Sequence, residues 1–250
     1  MKSKKTQGKT GVLRPSVKRN IATNLVLGTL VLTIGTLCIA PFDDTTTAGG
    51  ADAEIYRSAI SEPVGVSLMF NVYWGTEEVY QILDILQSYN AKCTFFIGGC
   101  WADDNVECLR EIYARGHEIG NHGYFHKEHD KLSLVQNQKE ISDCNRFIEL
   151  AIGVAPTLFA PPSGAYSNNT LSACKALNMK TVLWSRDTID WRDKDKDLIY
   201  TRATKNIQNG EFVLMHPMEA TVHALGDILK FYQSKNLIAV TVGDNLHIQG

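Results

Sequence analysis

The stretch Gly116-His-Glu-Ile-Gly-Asn-His-Gly-Tyr-Phe-His126 carries two histidines, His122 and His126, four residues apart. Between its first two glycines the chain alternates polar and apolar residues, as the end of a strand does, and a polar loop follows from Asn121. Two imidazoles at this spacing are expected on one face of a helical turn, about 5–6 Å apart, where both converge on one transition-metal ion. The spacing alone also arises by chance on surface helices. Its position after a strand predicts a site in an α/β barrel, which carries its chemistry there.

On both sides of this stretch, short apolar strands alternate with helices. Strands are predicted at 64–70, 93–97, 157–160, 181–184, 212–215 and 237–241, and helices at 76–89, 103–115, 132–152, 167–178, 195–208 and 219–234. Short apolar strands separated by helices indicate a parallel sheet covered by helices. About seven such units in roughly 190 residues favour a distorted (β/α) barrel over an open sheet. The sequence has no Gly-x-Gly-x-x-Gly turn and no phosphate loop, so we expect no nucleotide ligand.

The charge of the chain is divided unevenly. Seven of its 25 Lys and Arg residues precede residue 20, and no acidic residue precedes Asp43. The remainder therefore carries 18 basic and 27 acidic side chains. An acidic domain lacks the Lys and Arg surface that neutralises phosphates, so we expect no nucleic-acid partner.

An uncharged apolar run follows the basic segment, and its length is close to the roughly 20 residues that span a bilayer. We predict a basic cytoplasmic head (1–20), a transmembrane anchor (21–40), a linker (41–61) and an extracytoplasmic domain (62–250), because basic flanks stay in the cytoplasm. The alternative is a signal peptide cleaved near Ala51-Asp-Ala53, which would give a secreted protein. A third interpretation of the apolar run is a buried helix of a soluble protein, which would also be apolar.

Five cysteines fall in the predicted exported part, and none forms a Cys-x-x-Cys pair. An odd number leaves at least one unpaired or paired between chains. Cys93 lies in an apolar strand, which favours a small core residue. A disulfide between Cys100 and Cys108 remains open at this point.

Polar and aromatic residues gather just after the predicted strands. The clusters are Asn71 with Tyr73-Trp-Gly75, His122 with His126, Pro161 to Tyr166, Asp187 to Trp191, and His216 with Pro217. Each has a plain structural interpretation as turn formers, packing residues or a core histidine. Because loops after parallel strands share one rim, we expect the clusters to converge on one site.

The ordered clusters resemble the polysaccharide deacetylases of carbohydrate esterase family 4, the NodB-homology domain, over about residues 62–245. The matching motifs are His122-Gly-Tyr-Phe-His126, Phe159-Ala-Pro-Pro-Ser-Gly-Ala-Tyr166 with changes, Asp187-Thr-Ile-Asp-Trp191 and Leu214-Met-His216. Phe70-Asn-Val-Tyr-Trp-Gly75 is most similar to the sporulation-associated branch of the family.

The resemblance implies hydrolysis of the N-acetyl group of a hexosamine in a polymer such as peptidoglycan or a chitin-like glycan. It implies a divalent metal, most often zinc, held by His122 and His126, with His216 as the acid and Asp187 or Asp190 orienting it. The substrate-binding positions that it implies are Tyr73, Trp74, Pro162, Ser163, Gly164 and Trp191. The Ser163 main-chain N–H is then a candidate donor to the oxyanion.

The first and third motifs depart from the family. Asn71 and Val72 stand where the family has its base aspartate and third metal ligand, and Ala160 stands where it has an arginine that pairs with the base. Asn is neutral and cannot act as a general base, and Val cannot bind a metal. A buried Arg without its counter-charge would destabilise the fold, so the two losses fit together as one redesign or decay.

Three functions remain open on the sequence. The first is a metal-dependent cell-surface deacetylase, with sporulation as the implied setting, whose proton acceptor is His216, Asp187, Glu77 or Glu78. The second is a catalytically silent glycan-binding or scaffold protein that keeps the groove. The third is a different metal-dependent hydrolase that uses the same rim.

Overall fold

A computed structural model describes residues 54–248. The strands are β1 (Ile55–Tyr56), β2 (Val66–Val72), β3 (Thr94–Ile97), β4 (Glu118–Asn121), β5 (Leu158–Phe159), β6 (Lys180–Val182), β7 (Arg186–Asp187), β8 (Phe212–Met215) and β9 (Ala239–Val240). The helices are α1 (Thr76–Ser88), α2 (Gly99–Asp104), α3 (Val106–Ala114), α4 (Leu134–Ile152), α5 (Asn168–Ala176), α6 (Asp190–Asp193), α7 (Lys196–Thr204), α8 (Glu219–Ser234) and α9 (Val242–Asn245).

The nine strands form one sheet, and every pair of neighbours is parallel. The order is β1-β6-β5-β4-β3-β2-β8-β7, with β9 paired to the start of β2. Within residues 54–248, β1 and β7 at the two ends of this order are not paired with each other. The predicted α/β fold with a distorted barrel is confirmed in outline: the parallel sheet curls into a half-barrel that stays open between β1 and β7.

The core is divided by β2, whose residues are all buried. Successive side chains of a strand point to opposite faces. Phe70 and Val72 accordingly pack under the helices with Val79 of α1, whereas Met69 packs on the other face with Phe96. Asn71 lies on the same face of β2 as Met69, so its side chain points away from the helices and toward the inner face of the sheet.

Three local features differ from the prediction. The helix expected at 103–115 is two helices, because Asn105 leaves the helical conformation at φ −134° between α2 and α3. β1 lies within the predicted linker and pairs with β6. The N-cap of α1 is Gly75, which helical periodicity does not indicate, and its φ of 74° and the Pro217 carbonyl 2.3 Å from an added Cβ leave room for glycine alone.

The predicted head, anchor and most of the linker lie outside the described residues. Between residues 54 and 248, no helix is both long and apolar enough to cross a membrane. The five cysteines in this range are all free thiols, so the disulfide considered between Cys100 and Cys108 is not formed.

Candidate active site

A cleft of about 310 Å³ lies at the carboxyl ends of the strands, as the sequence predicts for the shared rim. Its lining residues are Asn71, Trp74, His122, His126, Ser163, Trp184, Asp187, Trp191, Leu214 and His216. Eight of these ten were predicted as site residues. Trp184 and Leu214 were expected only as strand or motif positions.

His122 enters the cleft directly after β4. Its Nδ1 lies 2.7 Å from the carbonyl oxygen of Ala160, which selects the tautomer that donates from Nδ1 and leaves Nε2 as an acceptor. Burial lowers its pKa well below the ordinary value, and the neighbouring His126 lowers the pKa further. The imidazole is therefore neutral at neutral pH.

His126 lies in a loop, so the helical turn expected for the pair is wrong. Its φ is 52°, a left-handed conformation that L-residues rarely adopt. The ring centroids of His122 and His126 are nevertheless 5.1 Å apart, and Tyr73 packs 4.8 Å from His126 on the other side. Burial lowers the pKa of His126 as well. A strained loop thus brings together the two imidazoles that the sequence singled out.

His216 follows β8 and is held from behind by Asp190. The Asp190 carboxylate accepts hydrogen bonds from the His216 main-chain N–H at 2.7 Å, from His216 Nδ1 at 2.8 Å and from the Thr221 hydroxyl at 2.6 Å. Asp190 is fully buried, so this orienting role falls to it rather than to Asp187. With Nδ1 engaged, Nε2 is the nitrogen of His216 that remains for a ligand.

Asp187 and Trp191 flank the same loop. One Asp187 oxygen accepts from the main-chain N–H of Ile189 at 2.8 Å, and the residue lines the cleft. Trp191 is half exposed at the rim, and Trp74 lies parallel to the His216 ring at 5.7 Å between centroids. Exposed aromatic faces beside a polar cleft suit the apolar faces of sugar rings.

The remaining predicted positions support the cleft without lining it, apart from Ser163. Pro162 is buried beside Gly123, and Gly164 packs against the Trp184 ring. Ser163 has a φ of 56° in the short turn between them and faces the cleft.

The opposite wall of the cleft is neutral. Asn71 is 4% exposed, and its Oδ1 is buried with no hydrogen-bond partner among residues 54–248. Val72 is fully buried in the cluster under the helices, pointing away from the cleft. Ala160 is fully buried beside Met69. No carboxylate or guanidinium side chain stands at any of these three positions.

The possible metal ligands of the cleft do not make up a site with three protein ligands. His122 and His126 are neutral imidazoles, as metal ligands must be. A hydrolytic zinc site adds a third protein ligand. Val72 has no ligating atom and points into the core, and the neighbouring Asn71 offers only an uncharged oxygen. Between residues 54 and 248, no group of three or more His, Cys, Asp or Glu side chains is placed to hold a metal ion.

Sequence reasoning missed a buried layer behind the histidine loop. His129 is fully buried, its Nδ1 lies 2.6 Å from Asn137 Oδ1, and its Nε2 would be 3.1 Å from a Cβ at Gly123. Thr221, which bonds Asp190 from α8, was missed too. Thr221 has no local sequence signal because it acts on a residue 31 positions away along the chain. His129 is close to the histidine pair in sequence, but its burial is not apparent from the polar loop in which it lies.

Known proteins place this fold and cleft in one family. The family model described as polysaccharide deacetylase matches residues 61–182. The uncharacterized protein YlxY of Bacillus subtilis is 37% identical over 75% of this chain, and the alignment spans 59% of that protein. A peptidoglycan-N-acetylglucosamine deacetylase of Bacillus cereus is 33% identical over 66% of this chain and 80% of its own length.

A solved structure matches as well. A CE4 family pseudoenzyme from Bacillus anthracis superposes with a TM-score of 0.76 at 30% identity, covering 79% of this chain and 70% of that one. A mutant of that pseudoenzyme is described as having restored enzymatic activity. By sequence and by fold, this chain belongs to the polysaccharide deacetylase family, carbohydrate esterase family 4, with the NodB-homology fold.

Proposed function

We propose that this chain binds an N-acetylated cell-wall glycan in its cleft and does not hydrolyse it. The observation that carries the proposal is the neutral wall: Asn71 stands where a proton acceptor is needed, and Val72 points into the core. Relatives named for peptidoglycan support the class of ligand. A related pseudoenzyme supports the loss of catalysis.

Each side chain of the cleft can serve binding. His216, fixed by Asp190, can donate from Nε2 when protonated or accept when neutral. Neutral His122 presents an acceptor nitrogen. Trp74 and Trp191 offer aromatic faces to sugar rings. Binding needs only these hydrogen bonds and stacking contacts, whereas hydrolysis also needs a group that accepts the proton of the attacking water.

The substitutes for the missing base are few. Of the carboxylates considered from the sequence, Asp187 lines the cleft, Glu78 lines a neighbouring groove and Glu77 is exposed on α1. Asp187 is the last residue of β7 and does not lie on β2, so it does not restore the lost wall.

A second candidate is the metal-dependent deacetylase that the motifs imply. It is favoured by the intact His216–Asp190 pair and by the two neutral imidazoles of His122 and His126. In that case Asp187 would accept the proton, and His122 and His126 would hold a divalent ion weakly, with zinc as the expected metal.

We also propose the setting of the protein. The basic segment 1–20 and the uncharged segment 21–40 support a single-pass membrane protein with its N-terminus in the cytoplasm and the folded domain outside. A wall glycan is accessible to such a domain. A role in sporulation rests on the Phe70-Asn-Val-Tyr-Trp-Gly75 motif alone.

The deciding experiment measures binding and acetate release together. Full-length protein is mixed with N-acetylglucosamine oligomers or wall peptidoglycan, with and without Zn²⁺ or Co²⁺. We expect saturable binding, weakened by Trp191→Ala, and no acetate release. Metal-dependent release that His126→Ala abolishes would establish the second candidate instead. A folded protein that neither binds nor releases acetate would refute both.

A further inference from the structure

A second, larger groove of about 650 Å³ adjoins the cleft. It runs between the turn after β2 and the turn after β8. Of its lining residues, only Trp74 and Gly75 belong to a family motif, and the proposed glycan binding uses only Trp74. Its polar lining consists of Glu78, Lys194, Glu219 and His223, and Trp74 and Met218 form its wall.

Trp74 is the partition between the two cavities, since it lines both. One face of its ring stacks on His216, and its Nε1 lies 3.2 Å from Met218 Sδ. The side chain is still 40% exposed. A ligand seated in the cleft therefore reaches the groove by passing over one aromatic ring.

The charged side chains of the groove are unpaired within residues 54–248. Glu78, Lys194, Glu219 and His223 make no side-chain hydrogen bond or ion pair with another residue of the described range. Another surface groove, beside α7 and α8, differs in this respect because its Lys196 and Asp227 pair at 2.7 Å. Unpaired charges of both signs in a concavity are free to bind a ligand that itself carries both signs.

Peptidoglycan offers such a ligand beside the sugar. In its muramic acid unit, the acetamido group and the ether-linked peptide leave adjacent carbons of one ring. The peptide carries free ammonium and carboxylate groups. We propose that the groove binds the stem peptide of an N-acetylmuramic acid unit whose acetamido group occupies the cleft. This inference rests on the proposed glycan binding and names the sugar and its substituent.

In this arrangement the two glutamates face ammonium groups of the peptide and Lys194 faces a carboxylate. The neutral sugar next along the glycan is the competing occupant. That sugar would stack on Trp74 without contacting the charged side chains. Removing the charges therefore distinguishes binding of the peptide from binding of the sugar.

The test compares one glycan with and without its peptides. Soluble wall strands are prepared intact, or stripped of peptide by an amidase, and titrated calorimetrically into the full-length chain. We expect the intact strands to bind about tenfold more tightly. The double variant Glu78→Gln/Glu219→Gln should lose that advantage. It should bind stripped strands, which keep a lactyl carboxylate, no more weakly than the natural chain does.

The matched control is Asp197→Asn/Asp227→Asn, which neutralises two carboxylates of the other groove and should bind both strands as the natural protein does. Equal affinity for intact and stripped strands would overturn the peptide assignment and leave glycan binding standing. An equal loss for both strands in the Glu78/Glu219 variant would assign the groove to the glycan. Failure of both strands to bind would refute the proposed function itself.

Discussion

The two walls of the cleft differ in how they are held. The acid wall (His216, Asp190 and Thr221) is a closed hydrogen-bond network around a fully buried carboxylate. The base wall (Asn71, Val72 and Ala160) carries no charge, and the oxygen of its one polar group, the Asn71 carboxamide, has no partner among residues 54–248.

This difference teaches which half of a catalytic site a fold can lose. Neutralising the base wall removes buried charges, which are costly to bury, and leaves packing intact. Removing Asp190 would strand a main-chain N–H, an imidazole and a hydroxyl at once. On this argument the acid wall persists because the structure needs it, whether or not the chemistry still does.

The largest effect is expected from rebuilding the base wall. Asn71→Asp and Ala160→Arg together restore a proton acceptor and its counter-charge. Because general base catalysis contributes up to about 10⁴-fold, we expect zinc-dependent acetate release about 10³-fold above the background measured with the natural chain. Adding His216→Ala should abolish the gain. A folded double variant without any gain would show that the acid wall is no longer competent.

The next effect concerns the stability role of the acid wall. Asp190→Ala should lower the free energy of unfolding by about 3 kcal/mol, because several buried donors lose their acceptor. Asp187→Ala, in the same loop, loses one bond at a half-buried site and should cost under about 1 kcal/mol. Urea denaturation measures both. Equal losses would contradict a structural reason for keeping Asp190.

A histidine outside both walls sets the background for pH studies of the cleft. Burial, followed by Lys92 and Arg115, lowers the pKa of His117 to about 4. As pH falls below about 6.5, the unfolded chain takes up a proton that the folded chain refuses, so stability is lost between about pH 6.5 and pH 4. His117→Gln should reduce the acid-induced loss of unfolding free energy by about 2 kcal/mol. If the unfolding free energy of the variant falls with decreasing pH as steeply as that of the natural chain, His117 already accepts its proton in the folded protein.

The smallest effect compares two buried asparagines at the ends of β2 and β4. Asn121 donates to the Ile141 carbonyl and to Asn145, and accepts from Gly123. Asn71→Leu removes an unpaired oxygen and should stabilise the protein by about 1 kcal/mol, whereas Asn121→Leu should destabilise it. Thermal unfolding distinguishes them. Destabilisation by Asn71→Leu would reveal an acceptor role for its oxygen.

Much of the fold could be predicted because its strands are short apolar runs between amphipathic helices. The strand β1 could not, since two residues in a polar segment gain their pairing only from β6. The break between α2 and α3 depends on the conformation of Asn105, which helical periodicity does not encode. Closure of the barrel depends on the strands at the two ends of the sheet, β1 and β7, which have two residues each.

The cleft was predicted more fully than the reasons for its geometry. His122, Asp187 and His216 were found because each follows a strand. The sequence could not decide between Asp187 and Asp190, since the two carboxylates flank one short turn between β7 and α6. Burial of Asp190 and its bond to His216 distinguish them in the fold. The supporting Thr221 comes from α8, far along the chain from Asp190, so local patterns did not reveal it. His129 lies near the histidine pair in sequence, but its polar surroundings there gave no sign that it is buried.

The cysteines differ in accessibility, which offers a site for a fluorescent label. Cys93, Cys108, Cys144 and Cys174 are buried, while Cys100 is partly accessible at the start of α2. Burial raises the pKa of the Cys108 and Cys174 thiols to about 11, which suppresses the reactive thiolate. The main-chain N–H of Cys100 donates to Tyr124 of the histidine loop. In a Cys38→Ser variant, a fluorophore on Cys100 would therefore sit against the loop that carries His126, and we expect its emission to report occupancy of the cleft in real time.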